Sequence, residues 1–191
     1  MGLPEGSCWP VPLPSGPLLA DLLQTNTRST MKTIVLGNAG AGKSTLSRKL
    51  LAGSTAARLC LDDIAFRGGS ERRPLGDSIK DLKCWIERNP GWVIEGCYSD
   101  IIEPVLALCD ELIFLNPGVE ACIRHCRARP WEPDKFSSRE AQDEYLENLI
   151  EWVRTYEHRA DEYGLSRHRA LYDAFSGKKR EFRHPREYES P

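Results

Sequence analysis
No apolar run in the 191 residues approaches the roughly 20 residues that a membrane-spanning helix needs, so no such helix is expected. Charge of one sign is also lacking. The formal net charge is -2, which leaves no global field to recruit nucleic acid or an anionic membrane, and any attraction for phosphate must be local. The cysteines lack a pattern. There are seven, an odd number without regular spacing, which suits a reducing cytoplasm better than a disulfide framework. Nor does the start of the sequence read as a secretory signal. Pro4, Pro10, Pro12, Pro14 and Pro17 interrupt any apolar core at the start, and the first basic residue is Arg28. What remains, 40% hydrophobic and 28% charged residues, is the composition of one soluble domain with a sizeable core.

The most informative stretch is GNAGAGKST, Gly37 to Thr45. Gly37, Gly42, Lys43 and Ser44 occupy the fixed positions of G-x-x-x-x-G-K-[ST]. Thr33 to Leu36 before it reads as a short strand, and Ser44 to Leu51 after it as a helix with Leu46, Leu50 and Leu51 on one side. A glycine-rich turn can arise by chance, but strand, loop and helix in this order are what a phosphate cradle requires. Glycines let main-chain N–H groups approach phosphate, and the helix N-terminus adds partial positive charge. The amides of Asn38, Ala39, Gly40, Ala41 and Gly42, with Thr45 behind them, would line the cradle. Lys43 would reach the β- and γ-phosphates, and the Ser44 hydroxyl would ligate Mg²⁺.

Arg58 to Leu61 reads as a second strand ending at Asp62-Asp63, with Asp62 19 residues past Lys43. One helix and a turn fit that distance, which gives a βαβ crossover. The two carboxylates are then expected beside the glycine loop at a strand's carboxyl end, where open α/β sheets bind ligands. Either could take a proton from a hydroxyl or help position Mg²⁺; a solvated turn or helix cap is the plain alternative. Phe66 to Gly76, with Arg67, Arg72 and Arg73, reads as a loop that is solvated or touches a substrate. Ser78 to Arg88 reads as an amphipathic helix and Trp92 to Gly96 as a third strand. Glu95 closes that strand and is the candidate metal-side acid, while Gly96 permits close backbone approach.

Leu112 to Leu115 reads as a fourth strand, and Pro117 is placed to open the next helix. On that helix Cys122, His125 and Cys126 lie too close together, without further ligands, to make a zinc site, and read as core and surface. Arg124, Arg127 and Arg129 crowd its end, either to close on transferring phosphate or to complement the helix C-terminus. Arg139 to Tyr163 reads as the longest helix. Its stripe is Tyr145, Leu149, Trp152, Val153 and Tyr156, and Gly164 is its cap. His168 to Phe175 reads as a short helix and Lys178 to Phe182 as an edge strand. Residues 1–30 read as a disordered extension, with a regulatory or targeting arm as the alternative; 31–182 read as the domain, and 183–191 as a polar, frayed tail.

The sequence of GNAGAGKST, LDD, WVIEG, LIFLNP and the arginine-bearing helix resembles the small P-loop kinases, including shikimate kinase and adenylate kinase. It is most similar to the bacterial kinase-like proteins named for modulation of DNA topology, which carry an LDD-type turn and a segment like Trp92 to Tyr98. The resemblance covers about residues 31–182. It implies a three-layer α/β P-loop NTPase fold with a mostly parallel sheet and an arginine-bearing lid. It also implies a cytoplasmic, monomeric or weakly dimeric phosphotransferase using ATP and Mg²⁺ on a small hydroxylated metabolite or nucleotide. Lys43, Asp62, Asp63 and Arg127 would be catalytic, residues 37–45 with Arg124 and Arg129 would bind nucleotide, and Ser44 with Glu95 would hold metal. A nucleotide-dependent switch with slow hydrolysis is the alternative. Two departures from the pattern are plain: Cys97-Tyr98-Ser99 stand where adenylate kinases have Phe-Pro-Arg, and only Gly96 stands where shikimate kinases have a glycine triplet.

Overall fold
A computed structural model describes residues 31–67 and 71–189. The extension read over residues 1–30 lies outside them. Five strands form one sheet in the order β2-β3-β1-β4-β5, and every pairing is parallel. The strands are β1 (Lys32–Gly37), β2 (Ala57–Cys60), β3 (Trp92–Gly96), β4 (Glu111–Leu115) and β5 (Lys178–Phe182). The helices are α1 (Lys43–Leu51), α2 (Asp62–Ala65), α3 (Leu75–Arg88), α4 (Ser99–Ile102), α5 (Val119–Arg127), α6 (Arg139–Arg154), α7 (Leu165–Ala174) and α8 (Arg186–Glu189). Among the described residues no helix is long and apolar enough to cross a membrane.

Alternation along the central strands builds two cores, one on each face of the sheet. Ile34, Leu36, Ile94, Leu112 and Phe114 face one side and pack with Leu82 of α3, Ile101 and Ile102 of α4 and Leu171 of α7. Val35, Val93, Ile113 and Leu115 face the other and pack with Leu46 of α1, Cys122 and Cys126 of α5, and Ile150 and Val153 of α6. Helices thus cover both faces, the arrangement that a parallel sheet with apolar strands requires. Since all strands run the same way, the loops after β1, β2, β3 and β4 emerge along one edge.

Several sequence expectations are corrected. The Asp62-Asp63 turn is not next to the glycine loop, because β3 pairs with both β1 and β2 and separates them. Nor does Asp62 end the strand. β2 stops at Cys60, and both aspartates lie in the first turn of α2, where carboxylates favour the helix dipole. Pro117 and Gly118 precede α5 rather than opening it; Gly118, at φ +87°, makes a turn that L side chains rarely adopt. α6 ends at Arg154, then a 3₁₀ turn spans Thr155–Glu157, and Gly164 caps the start of α7 instead of the end of α6. The buried residues of α6 are Gln142, Leu146, Ile150 and Val153; of the expected stripe, Val153 and Tyr156 are buried and Leu149 and Trp152 pack against the core, while Tyr145 is exposed. The tail does not fray at Arg183. It folds into α8, with Glu187 accepting from the Arg183 and His184 amides at 2.8 and 2.7 Å and Tyr188 buried in the second core.

Candidate phosphate-binding site
The glycine loop leaves the end of β1, in the centre of the sheet, and enters α1. Gly40 at φ +75° and Gly42 at φ +88° hold backbone angles that L side chains rarely adopt. A Cβ on Gly40 would collide with the Cys122 carbonyl, so the loop can lie against α5 only with glycine there. Gly42 is the N-cap of α1, and a left-handed residue at this point turns the chain directly into the helix.

The loop is anchored from within and from three surrounding helices. The buried Asn38 side chain donates to the Val153 carbonyl in the last turn of α6 at 3.3 Å and accepts from the Ala39 amide at 2.8 Å. The Gly40 carbonyl faces His125 Nδ1 on α5 at 2.8 Å. A carbonyl can only accept, so that nitrogen carries the hydrogen. The Ala41 carbonyl accepts from the Tyr188 hydroxyl of α8 at 2.9 Å. Lys43 Nζ bridges back to the Asn38 carbonyl at 2.8 Å. Burial keeps neighbouring thiols neutral, with Cys97 pushed up to about 11 and Cys122 to about 12. They therefore add no negative charge near Lys43.

Asp62 and Asp63 are both exposed at the carboxyl edge, two strands from β1. They are not equivalent. Tyr98, on the loop after the intervening β3, donates its hydroxyl to Asp62 Oδ1 at 2.5 Å. Its ring is held by T-shaped contacts with Phe66 and Tyr163 and by the Arg72 guanidinium 5.4 Å from its centroid. Arg72 in turn donates to Asp100 at 2.6 Å, to Glu162 at 2.5 Å and to the Tyr163 hydroxyl. Burial raises the Tyr98 phenol well above its ordinary value, so it stays a donor. Of the loop arginines, then, Arg72 is structural. Arg73 is likewise taken up by Asp81 at 2.6 Å and the Ile64 carbonyl at 3.2 Å.

Glu95 is 2% exposed and is ion-paired with Arg58 on β2. It faces the side of the sheet that α1 covers, as its alternation with Ile94 requires. Gly96 meets its expectation, since a Cβ there would lie 2.8 Å from Leu61 Cβ.

The three candidate arginines are dispersed around α5. The helix turns Cys122, His125 and Cys126 toward Gly40. Arg129 lies past the end of α5, with its amide on the Cys126 carbonyl at 3.2 Å, and lines a small groove with Trp131, Arg139, Gln142 and Asp143. Arg124 points elsewhere, into a shallow groove with Glu120, Arg154 and Glu157, and Arg127 is exposed. The segment after Arg129 is fastened rather than free: Gln142 donates to the Pro130 carbonyl at 2.9 Å and accepts from the Glu132 amide at 2.8 Å. Cys122 and Cys126 pack in the second core and His125 anchors the loop; among the described residues no cluster of three or more metal-ligating side chains exists.

Sequence reasoning missed Tyr188, Arg58, the anchoring role of His125 and the hydrogen bond of Tyr98 to Asp62. Tyr98 was marked by its segment, and Tyr188 left a local signal as a lone aromatic residue in a polar tail. No protein-family model matches the chain, and no curated protein sequence matches it.

Proposed function
We propose that the chain is an ATP- and Mg²⁺-dependent phosphotransferase acting on a small hydroxylated metabolite or a nucleotide. One observation carries the proposal: the G-x-x-x-x-G-K-S loop caps the central strand and leads into α1, with Lys43 at its neck and Asp62, hydrogen-bonded by Tyr98, at the same edge of the sheet. The residues fit a nucleoside triphosphate. The loop offers glycine backbone, Lys43 and a helix N-terminus, and the nearby thiols are neutral. Mg²⁺ fits less completely. Ser44 offers one hydroxyl oxygen, while Glu95 is already paired with Arg58. Such a metal would be held mostly by phosphate and water, as Mg²⁺ commonly is, and would neutralise phosphate charge.

Within this reading Lys43 orients the terminal phosphates, and the loop amides bind them. Asp62 orients an acceptor hydroxyl and accepts its proton, with Tyr98 fixing the carboxylate. Positioning and charge neutralisation suffice for this chemistry. ADP release measured with and without hydroxylated metabolites or nucleoside monophosphates tests it. Stimulation by one acceptor, lost in Lys43→Ala and Asp62→Asn, is the expected result; slow release that no acceptor stimulates defeats it. The second reading, a nucleotide-dependent switch, gains from the placement of Arg124 and Arg127 off the loop-facing side of α5 and of Arg129 in a groove with Trp131 and Arg139, since a switch can borrow its arginine from a partner.

A further inference from the structure
The peptide unit fixes C=O and N–H in opposite directions, so whatever holds a loop carbonyl also aims the following amide. In the glycine loop two consecutive carbonyls are held from outside. Gly40 O faces His125 Nδ1 at 2.8 Å, and Ala41 O accepts from the Tyr188 hydroxyl at 2.9 Å. The amide paired with the first, Ala41 N–H, is taken up inside the loop by the Asn38 carbonyl at 3.2 Å. The amide paired with the second, Gly42 N–H, leads into α1 and is directed away from Tyr188.

Tyr188 is itself fixed. It is 5% exposed, its ring lies 5.8 Å from that of Phe182, and its own carbonyl accepts from Lys49 Nζ of α1 at 3.3 Å. The edge strand β5 delivers the tail to this face, and the Glu187 carboxylate closes the turn that brings Tyr188 back over the loop.

We infer that Tyr188 is a positioning residue for phosphate: the C-terminal segment straps the glycine loop from behind, and its hydroxyl, through the Ala41 carbonyl, turns the Gly42 amide outward for a polyphosphate. The inference rests on the phosphate-site reading proposed above and adds a part of the chain outside the region of family resemblance.

The test uses the full chain, inorganic tripolyphosphate as the probe and calorimetric titration. Wild type should bind, and Lys43→Ala should not. Tyr188→Phe keeps the ring in the core and removes only the hydroxyl, leaving a buried carbonyl without its donor; the affinity for tripolyphosphate should fall about tenfold. Lys49→Met, which unties the Tyr188 backbone and leaves its hydroxyl, should weaken binding in the same direction by about two- to threefold. A ring that merely fills the core would lower the melting temperature in Tyr188→Phe while leaving tripolyphosphate affinity at the wild-type value. That result, with Lys43→Ala still unable to bind, overturns the positioning role alone. Equal binding by wild type and Lys43→Ala overturns the phosphate site and the strap together. If Tyr188→Phe melts too low to titrate, the Lys49→Met result decides, and wild-type affinity there overturns the inference.

Discussion

His168 provides a test of the core directly behind the candidate site. It is fully buried on α7, with Nε2 2.9 Å from the Cys97 carbonyl and Nδ1 2.8 Å from the Tyr156 hydroxyl. The carbonyl can only accept, so Nε2 carries the hydrogen and Nδ1 accepts from Tyr156. A second proton on Nδ1 would break that bond inside an apolar core. Burial accordingly pushes the imidazole down to about 4 from its ordinary 6.5, with the charges of Lys43 and Arg159 acting in the same sense. Because the folded value is the lower, the unfolded chain binds more protons between these limits. Stability is therefore complete above about pH 6.5 and falls as the pH drops toward about 4. At 1.36 kcal/mol per pH unit the full loss is about 3 kcal/mol, of which about 2 is already gone at pH 5. For a domain of this size that lowers the melting temperature by about 6 °C relative to pH 7. Melts followed by circular dichroism at both pH values should be compared with His168→Gln, whose amide can still donate to Cys97 but does not titrate. Carboxylate effects are common to both proteins and cancel in the difference. An equal pH-dependent drop in wild type and variant would refute the neutral buried imidazole.

Three further outcomes are expected. Lys43→Ala should abolish acceptor-dependent ADP release while leaving the melting temperature close to wild type, because the ammonium is aimed into the loop and supports no core contact; retained turnover in a well-folded variant would remove the phosphate assignment. Arg58→Met should destabilise the fold by about 3 kcal/mol, since it strands the buried Glu95 charge, and adding Glu95→Gln should recover most of the loss in urea titrations. Equal stability of the single and double variants would show that the pair is not coupled. Asp62→Asn should reduce acceptor-stimulated turnover by roughly 10²- to 10⁴-fold and Asp63→Asn by little, because only Asp62 accepts from Tyr98; the reverse ranking, measured with the same acceptor, would refute that choice.

The strands and the glycine loop were legible because their signals are local. Trp92 to Gly96 and Lys178 to Phe182 are apolar or turn-bounded runs whose ends coincide with β3 and β5, and the loop glycines are required by backbone angles within the motif itself. What could not be read depends on topology. Tyr188 meets Ala41 across 147 residues and Asn38 meets Val153 across 115, and no periodicity encodes either contact. The order of the strands is equally silent in a linear pattern, which is why Asp62 was expected beside β1 and lies beyond β3. In α6 Tyr145 was expected in the core but serves the surface, its ring 5.2 Å from that of Phe136, while Leu146 and Ile150, one residue further on, are buried.

The intervening strand gives this correction a chemical consequence. Neighbouring strands are spaced about 4.8 Å apart, so β2 runs roughly 10 Å from β1 with β3 between them. In the proposed phosphotransferase, Asp62, one strand beyond β3, would leave room for an acceptor to enter between itself and the bound phosphates. The strand that makes this gap also governs its acid, since the loop leaving β3 carries Tyr98, whose hydroxyl fixes Asp62. The Cys97 carbonyl on the same loop is bound by His168, and the Ser99 amide and hydroxyl are bound to the Glu162 carbonyl at 3.1 and 2.7 Å. Tyr98 is thus carried by a segment fastened on both sides, and Arg72 closes over its ring. The cradle is held from α5, α6 and α8, and the acid from α7 and the Arg72 cluster. In such an arrangement, disturbing the strap at Tyr188 should alter phosphate affinity without altering the ranking of Asp62 over Asp63.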